Sequence, residues 1–141
     1  MADDVPSPID LRALAARDRF ASELGIEYLD GPPGPVVLRL AVRERHCNFA
    51  GACHGAVIFA LADSAFGLAC NADGMLTPAL DALVTYTAPV WPGDVIEATA
   101  REIARTKRIA TYRAEVRRGG DIVAAFTATA YRTDKRLENT A

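Results

Sequence analysis

The stretch HGAVIFALADSAFGLACN, residues 54–71, is apolar almost throughout and carries one carboxylate, Asp63, with Ser64 beside it. An ionised carboxylate removed from water without a partner costs several kcal/mol or shifts its pKa instead. Two readings are open. Asp63 caps a second helical segment or lies on a solvent-facing stripe; or it is held in a dry cleft, where it can attack an electrophile or abstract a proton. His54 and Gly55 begin the same helix, whose first N–H groups have no intrahelical partner and can polarise a carbonyl oxygen or bind an anion. Glycine lets a ligand come close to the backbone there; the plain alternative is a helix start in which His54 caps or packs. Eight residues separate Gly55 from Asp63, which is about 12 Å along a continuous helix. One small reacting group cannot touch both in one chain. If both act on one substrate, each comes from a different one of two symmetry-related chains, and the site lies between subunits.

Other constellations are weaker. The pattern from His46-Cys47 to Cys53-His54 offers imidazole and thiolate, which are zinc ligands. Its spacing matches no common finger and adjacent His-Cys pairs point apart, so no metal is expected. Ser64 lies within a helix and no G-x-S-x-G turn is present, which argues against a serine nucleophile. No phosphate-binding glycine loop appears. Arg105-Thr106-Lys107-Arg108 is the one concentrated basic run, either a solvated turn or a place for a phosphate-bearing ligand.

The elements that must position these residues follow from periodicity. Ile9 to Leu24 has the spacing of one short amphipathic helix, with Ser7 or Asp10 as its cap. IEYLD, the turn GPPG and PVVLRLAVR read as a hairpin whose inward face holds Val36, Leu38, Leu40 and Val42. After the loop RERHCNFAGAC, the apolar helix runs to about Ala72 and stops at Asp73-Gly74. The period then changes to two: ALDALVTYTAPV, VIEATAREIA, KRIATYRAEVRR and IVAAFTATAYR are four strands, with turns at WPGD and RGGD.

This order gives an α+β domain, an antiparallel five- to six-stranded sheet wrapped around one long central helix, with a short N-terminal helix. A single domain spans residues 1–141, ordered over about 9–133, with 1–8 and the polar end from 134–141 flexible. What the sheet leaves uncovered on so apolar a helix needs another chain, so at least a dimer with a two-fold axis is expected.

Composition bounds the partners. With 16 basic and 18 acidic side chains and a net charge of -2, bulk electrostatics gives no reason to expect nucleic acid or an anionic membrane. The run from Gly55 to Cys70 is too short for a membrane span and has a charge near its centre. The acidic N-terminus lacks the pattern of a secretion signal, which makes the cytoplasm the expected compartment. Three cysteines, an odd number, fit reduced buried thiols better than a disulfide framework.

The segment NFAGACHGAVIFALADS, followed by AFGLACNADG, resembles the central motif of the phenylacetate-pathway (PaaI-type) acyl-CoA thioesterases of the hotdog-fold superfamily. That motif is close to N-x5-H-G-G-x-x-F-x-L-A-D, then A-F-A-x-A-x-N. The likeness extends to Thr85 and Tyr86, to the turn at Pro92 to Asp94 and to Tyr112, covering roughly Phe20 to Arg132. The resemblance implies hydrolysis of an acyl-CoA or aryl-acyl-CoA, with coenzyme A part of the substrate and no separate cofactor. It implies Asp63 as nucleophile or general base, and the Gly55 N–H of a neighbouring subunit on the thioester oxygen. Asn48 and His54 help order the site, Ser64 is a substrate contact, and Lys107 and Arg108 are the natural place for coenzyme A phosphates. Dimers or tetramers are implied as well. Ala56 departs from the family's second glycine, and Asn48-Phe49-Ala50 from a loop that is often glycine-containing. Alternatives are a hotdog enoyl-CoA hydratase or dehydratase using His54 and a carboxylate, and a non-catalytic acyl-CoA-binding protein, against which the retained Asp63 argues.

Overall fold

The computed structural model describes residues 9–137. Residues 1–8 and 138–141, with the alternative cap Ser7 and most of the flexible ends expected above, lie outside the described residues.

The N-terminal segment forms two helices where the spacing predicts one. α1 (Leu11–Ala16) and α2 (Arg19–Leu24) are separated because two aspartates each cap a start. Asp10 accepts from the Ala13 N–H at 3.1 Å and Asp18 from the Ala21 N–H at 2.9 Å. Such caps satisfy amide donors that a helix start leaves free. Gly25, with φ 88°, ends α2 in the left-handed conformation that glycine adopts without a Cβ penalty.

β1 (Glu27–Asp30) and β2 (Val36–Ala41) form the expected hairpin, followed by a 3₁₀ turn at Glu44–His46 and by α3 (Gly55–Cys70). β3 (Ala79–Tyr86), β4 (Val95–Arg105), β5 (Ile109–Arg118) and β6 (Asp121–Tyr131) complete one antiparallel six-stranded sheet in the order β1-β2-β4-β5-β6-β3. The chain enters α3 from one side of the sheet and leaves it to add β3 at the far edge. Among the described residues no further strand pairs with the edge strands β1 and β3.

The sheet wraps α3 with its alternating apolar face. Val36, Leu38 and Leu40 of β2, Ile96, Ala98 and Ala100 of β4, and Tyr112, Ala114 and Val116 of β5 are buried on that side. The alanines keep this face low enough for the helix to come close, and aromatic rings fill what remains. Phe66 meets Tyr112 edge-on at 5.4 Å between centroids, and Phe59 meets Phe126 at 5.5 Å. β3 is different: Leu80, Leu83 and Tyr86 are exposed along it.

At the C-terminus the backbone makes a further pairing. Residues 135–137, assigned above to a free polar end, are paired with the segment after α3. Leu76 N–H donates to the Lys135 carbonyl at 2.7 Å and Leu137 N–H to the Gly74 carbonyl at 2.8 Å. Backbone pairing of this kind carries no side-chain signal, so polar composition hides it. Among the described residues no helix is long and apolar enough to cross a membrane.

Candidate active site

α3 has two unlike sides. Leu61, Ala62, Ala65 and Phe66 face the sheet and are almost wholly buried, whereas Asp63 and Ser64 lie on the stripe turned away from it. That stripe forms the wall of a cleft of about 480 Å³, whose other side is made by Leu14, Asp18 and Phe20 of the N-terminal arm and by Leu76 and Leu137. Asp63 is open to solvent in the single chain, but the surrounding protein still pushes its carboxyl above the usual carboxylate range. Desolvation is the larger cause and the charge of Asp18 the second. A carboxyl perturbed in this way on the wall of a cleft is suited to proton transfer.

The start of α3 is built by two side chains set against a bare Gly55 backbone. His54 is the N-cap, its Nδ1 accepting from the Ala56 N–H at 3.0 Å, which leaves Nε2 free to donate outward. Tyr86 donates its hydroxyl to the Gly55 carbonyl at 2.7 Å. A Cβ at Gly55 would lie 3.0 Å from both Cζ and Oη of that ring, tighter than ordinary contact, so a side chain here would have to push the Tyr86 ring aside. The Gly55 N–H, first of the helix, donates to no acceptor among the described residues. Gly55 lines a separate groove of about 410 Å³ together with Cys53, Ile58 and the segment Tyr86 to Val90.

Asn48 holds the preceding loop. Its Oδ1 accepts from the Ala50 N–H at 2.8 Å, its own N–H donates to Ala52, and its carbonyl accepts from Gly51. The side-chain Nδ2 is left without a partner among the described residues. Beneath this loop His46 is buried, with Nδ1 accepting from the Arg43 N–H at 2.9 Å and Nε2 donating to the Leu24 carbonyl at 2.8 Å. The His46 carbonyl in turn accepts from the His54 N–H at 2.7 Å, so one histidine ties α2 to the start of α3.

The predicted residues thus fall into separate groups. Asp63 and Ser64 share one cleft, Gly55 lines another groove, and Asn48 and His54 belong to the loop and cap before it. Lys107 and Arg108 lie at the β4–β5 turn and line neither cleft. Arg108 is engaged by Asp134 at 2.8 Å and by the Arg132 carbonyl at 3.1 Å; Lys107 makes no ion pair among the described residues. The cysteines serve packing. Burial pushes the Cys53 thiol up to about 11, with Cys47 adding to it, and the Cys70 thiol up to about 12. Among the described residues no group of three or more His, Cys, Asp or Glu converges as a metal site would require.

Three contributors escape a reading of spacing alone. Tyr86 fixes Gly55 from a distant strand, and Asp18 acts on Asp63 across the cleft. Asn71 ties the end of α3 down, accepting from the Thr77 N–H at 2.8 Å and donating to Gly67 at 2.8 Å. The repeated Asp cap at 10 and 18 is the only local signal among them.

A six-stranded antiparallel sheet wrapped around one central helix, with a carboxylate on the helix's outward stripe, defines a hotdog-fold enzyme. The thioesterase superfamily model matches residues 50–125. The chain is 32% identical over 104 residues to the acyl-coenzyme A thioesterase PaaI of Escherichia coli K12, covering 74% of each. The solved structure of the E. coli PaaI protein superposes with a TM-score of 0.84 at 29% identity, over 89% of this chain and 92% of that one. A solved protein of Thermus thermophilus is 43% identical with a TM-score of 0.80, over 83% of this chain and 99% of its own. This chain belongs to the thioesterase superfamily, in its PaaI-type acyl-CoA thioesterase branch.

Proposed function

We propose that the protein hydrolyses an acyl-CoA or aryl-acyl-CoA thioester, with Asp63 of one subunit acting against the Gly55 N–H of its partner. The observation that carries this reading is the division of labour along α3. The perturbed carboxyl sits in one cleft, and Gly55, whose N–H is unspent, lines another, about 12 Å away along the helix. The N–H polarises the thioester oxygen, where negative charge develops as the carbonyl carbon is attacked. Asp63 takes a proton from the attacking water, or attacks the carbonyl itself to form an anhydride that water then opens. Coenzyme A leaves as the thiolate and the acid is released on either route. The raised pKa of Asp63 favours the proton-accepting role.

The requirement for two chains agrees with the β3 edge, with which no further strand pairs among the described residues and along which Leu80, Leu83 and Tyr86 are exposed. A homodimer, alone or paired into a tetramer, is the assembly this supports. Lys107, free of ion pairs among the described residues, is the better placed of the two turn cations to meet a phosphate of coenzyme A; Arg108 is already held by Asp134.

The test is thiol release from acyl-CoA by the wild type and by Asp63→Asn. The substitution should lower turnover by about 10²–10⁴-fold if the carboxylate carries the chemistry. An Asp63→Asn protein of unchanged fold and mass that keeps wild-type turnover rules the mechanism out.

A further inference from the structure

We propose that Gly67 is the specificity-determining residue of the Asp63 cleft, leaving room beside the carboxylate for an apolar acyl group of more than minimal length. The inference rests on the thioesterase reading above and adds to it the class of acyl group.

Gly67 stands one turn beyond Asp63 on the same stripe of α3, and both line the cleft. Glycine in a helix interior is less stable than alanine, so a glycine here needs a reason. Neither backbone nor packing supplies one. A positive φ is not the reason: the glycines with positive φ are Gly25, Gly51, Gly74, Gly93 and Gly119. Close packing is not the reason either, because a Cβ built on Gly67 meets nothing within 4 Å, in contrast to Gly55 against Tyr86. Nor is the helix broken there: α3 runs without interruption from Gly55 to Cys70, and the Asn71 side-chain Nδ2 donates to the Gly67 carbonyl at 2.8 Å. What remains is the space itself. It opens into a cleft whose far wall carries Leu14, Phe20 and Leu76 beside Arg17 and Asp18, and Phe20 and Leu76 stay exposed in the single chain, at 62% and 40%. An apolar acyl or aryl-acyl group entering past Asp63 covers these side chains and occupies the volume that a side chain at 67 would fill. In sites of this kind one methylene is worth roughly 10–200-fold in kcat/KM.

The experiment compares wild type, Gly67→Ala and Gly67→Leu on straight-chain acyl-CoAs of increasing length, from acetyl upward, by thiol release. Native mass is measured on each. Calorimetric binding of the non-hydrolysable thioether analogues of the same lengths is read alongside. Gly67→Leu should lose roughly tenfold or more kcat/KM on the longer chains beyond whatever it loses on acetyl-CoA, at unchanged native mass. Gly67→Ala should fall between, with a melting temperature at or above the wild type's. A loss equal at every chain length overturns the proposal, as does a fall in native mass, which would mean that the open face at 67 is filled by a second copy. A wild type that releases no thiol from any thioester refutes the function proposed above, and thioether binding then decides this inference separately. Length-dependent weakening in Gly67→Leu supports it, and uniform or absent binding overturns it.

Discussion

Removing the Gly55 N–H is the most direct way to test whether two chains share one site, and the structure shows how to remove it. Proline lacks the donor and is tolerated at the first position of a helix. His54 precedes it with φ -60° and ψ 133°, an extended conformation that the residue before a proline adopts readily. The obstacle is Tyr86, whose Cζ and Oη lie 3.0 Å from the place of a Cβ at 55. Every protein in the comparison therefore carries Tyr86→Ala, and the Tyr86→Ala dimer is the reference. Loss of one donor to the developing oxyanion should lower turnover of Gly55→Pro by about 10²–10³-fold. Asp63→Asn in the same background should fall at least as far. A mixed dimer, one subunit with each defect, is then purified through two different affinity tags. If each site takes its carboxylate from one chain and its N–H from the other, one site carries both defects and the second carries neither. The mixed dimer should regain about half the reference rate. If both groups acted within one chain, every site would hold one defect, and the rate would stay at about 1% of reference or lower. Thiol release at saturating acyl-CoA reads the outcome, and a mixed dimer no faster than its parents refutes the shared site.

The pH profile offers a second check. Burial and Asp18 raise the Asp63 pKa, and catalysis needs the carboxylate, so kcat/KM should rise with pH through a value above the ordinary carboxylate range. Asp18→Asn, which keeps the cap on α2, should move that rise to lower pH. The same shift has a stability consequence. A carboxyl raised in the folded state favours folding below its unfolded pKa, and that contribution is lost as pH rises through the folded value. Asp63→Asn should therefore melt higher than wild type at neutral pH, by a margin that shrinks in acid, as calorimetry can show. His46→Ala leaves the Arg43 N–H and the Leu24 carbonyl without their ring partner and should cost about 2–4 kcal/mol in urea unfolding. With Cys53 and Cys70 pushed up to about 11 and about 12, a disulfide reagent at mildly alkaline pH should modify only Cys47 in the folded protein, against three thiols in denaturant.

Much of this architecture is legible in side-chain order because each sheet-facing position repeats every second residue. Val36, Leu38 and Leu40, or Ala110, Tyr112, Ala114 and Val116, announce both the strand and its buried face. The turn at Pro92 to Asp94 is equally local: Asp94 accepts from the Trp91 N–H at 2.9 Å and pairs with Arg118. What stays hidden is non-local. Nothing near β3 says that it crosses to β6, and nothing in KRL says that its backbone pairs with Gly74 to Leu76. The break between α1 and α2 is hidden for another reason, since the apolar spacing carries through it and only the second capping aspartate marks it. At the site, the residue types at 54, 55 and 63 suggest the chemistry. The orientation of Asp63 depends on which stripe of an almost uniformly apolar helix the sheet selects. Small alanines on the sheet make that choice, far away in the sequence.

The contact between Tyr86 and Gly55 also bears on descent. A ring on an edge strand and a bare backbone at a helix start, 31 positions apart, share a hydrogen bond, with the ring filling the space next to where a Cβ at 55 would stand. A side chain at 55 presses on the ring at 86 and favours a smaller or shifted neighbour, and a smaller neighbour surrenders the bond to the helix's first carbonyl. Lineages should change these two positions together or keep both, so an alignment of relatives, sorted by the residue at 55, records the coupling that the single molecule displays as a distance.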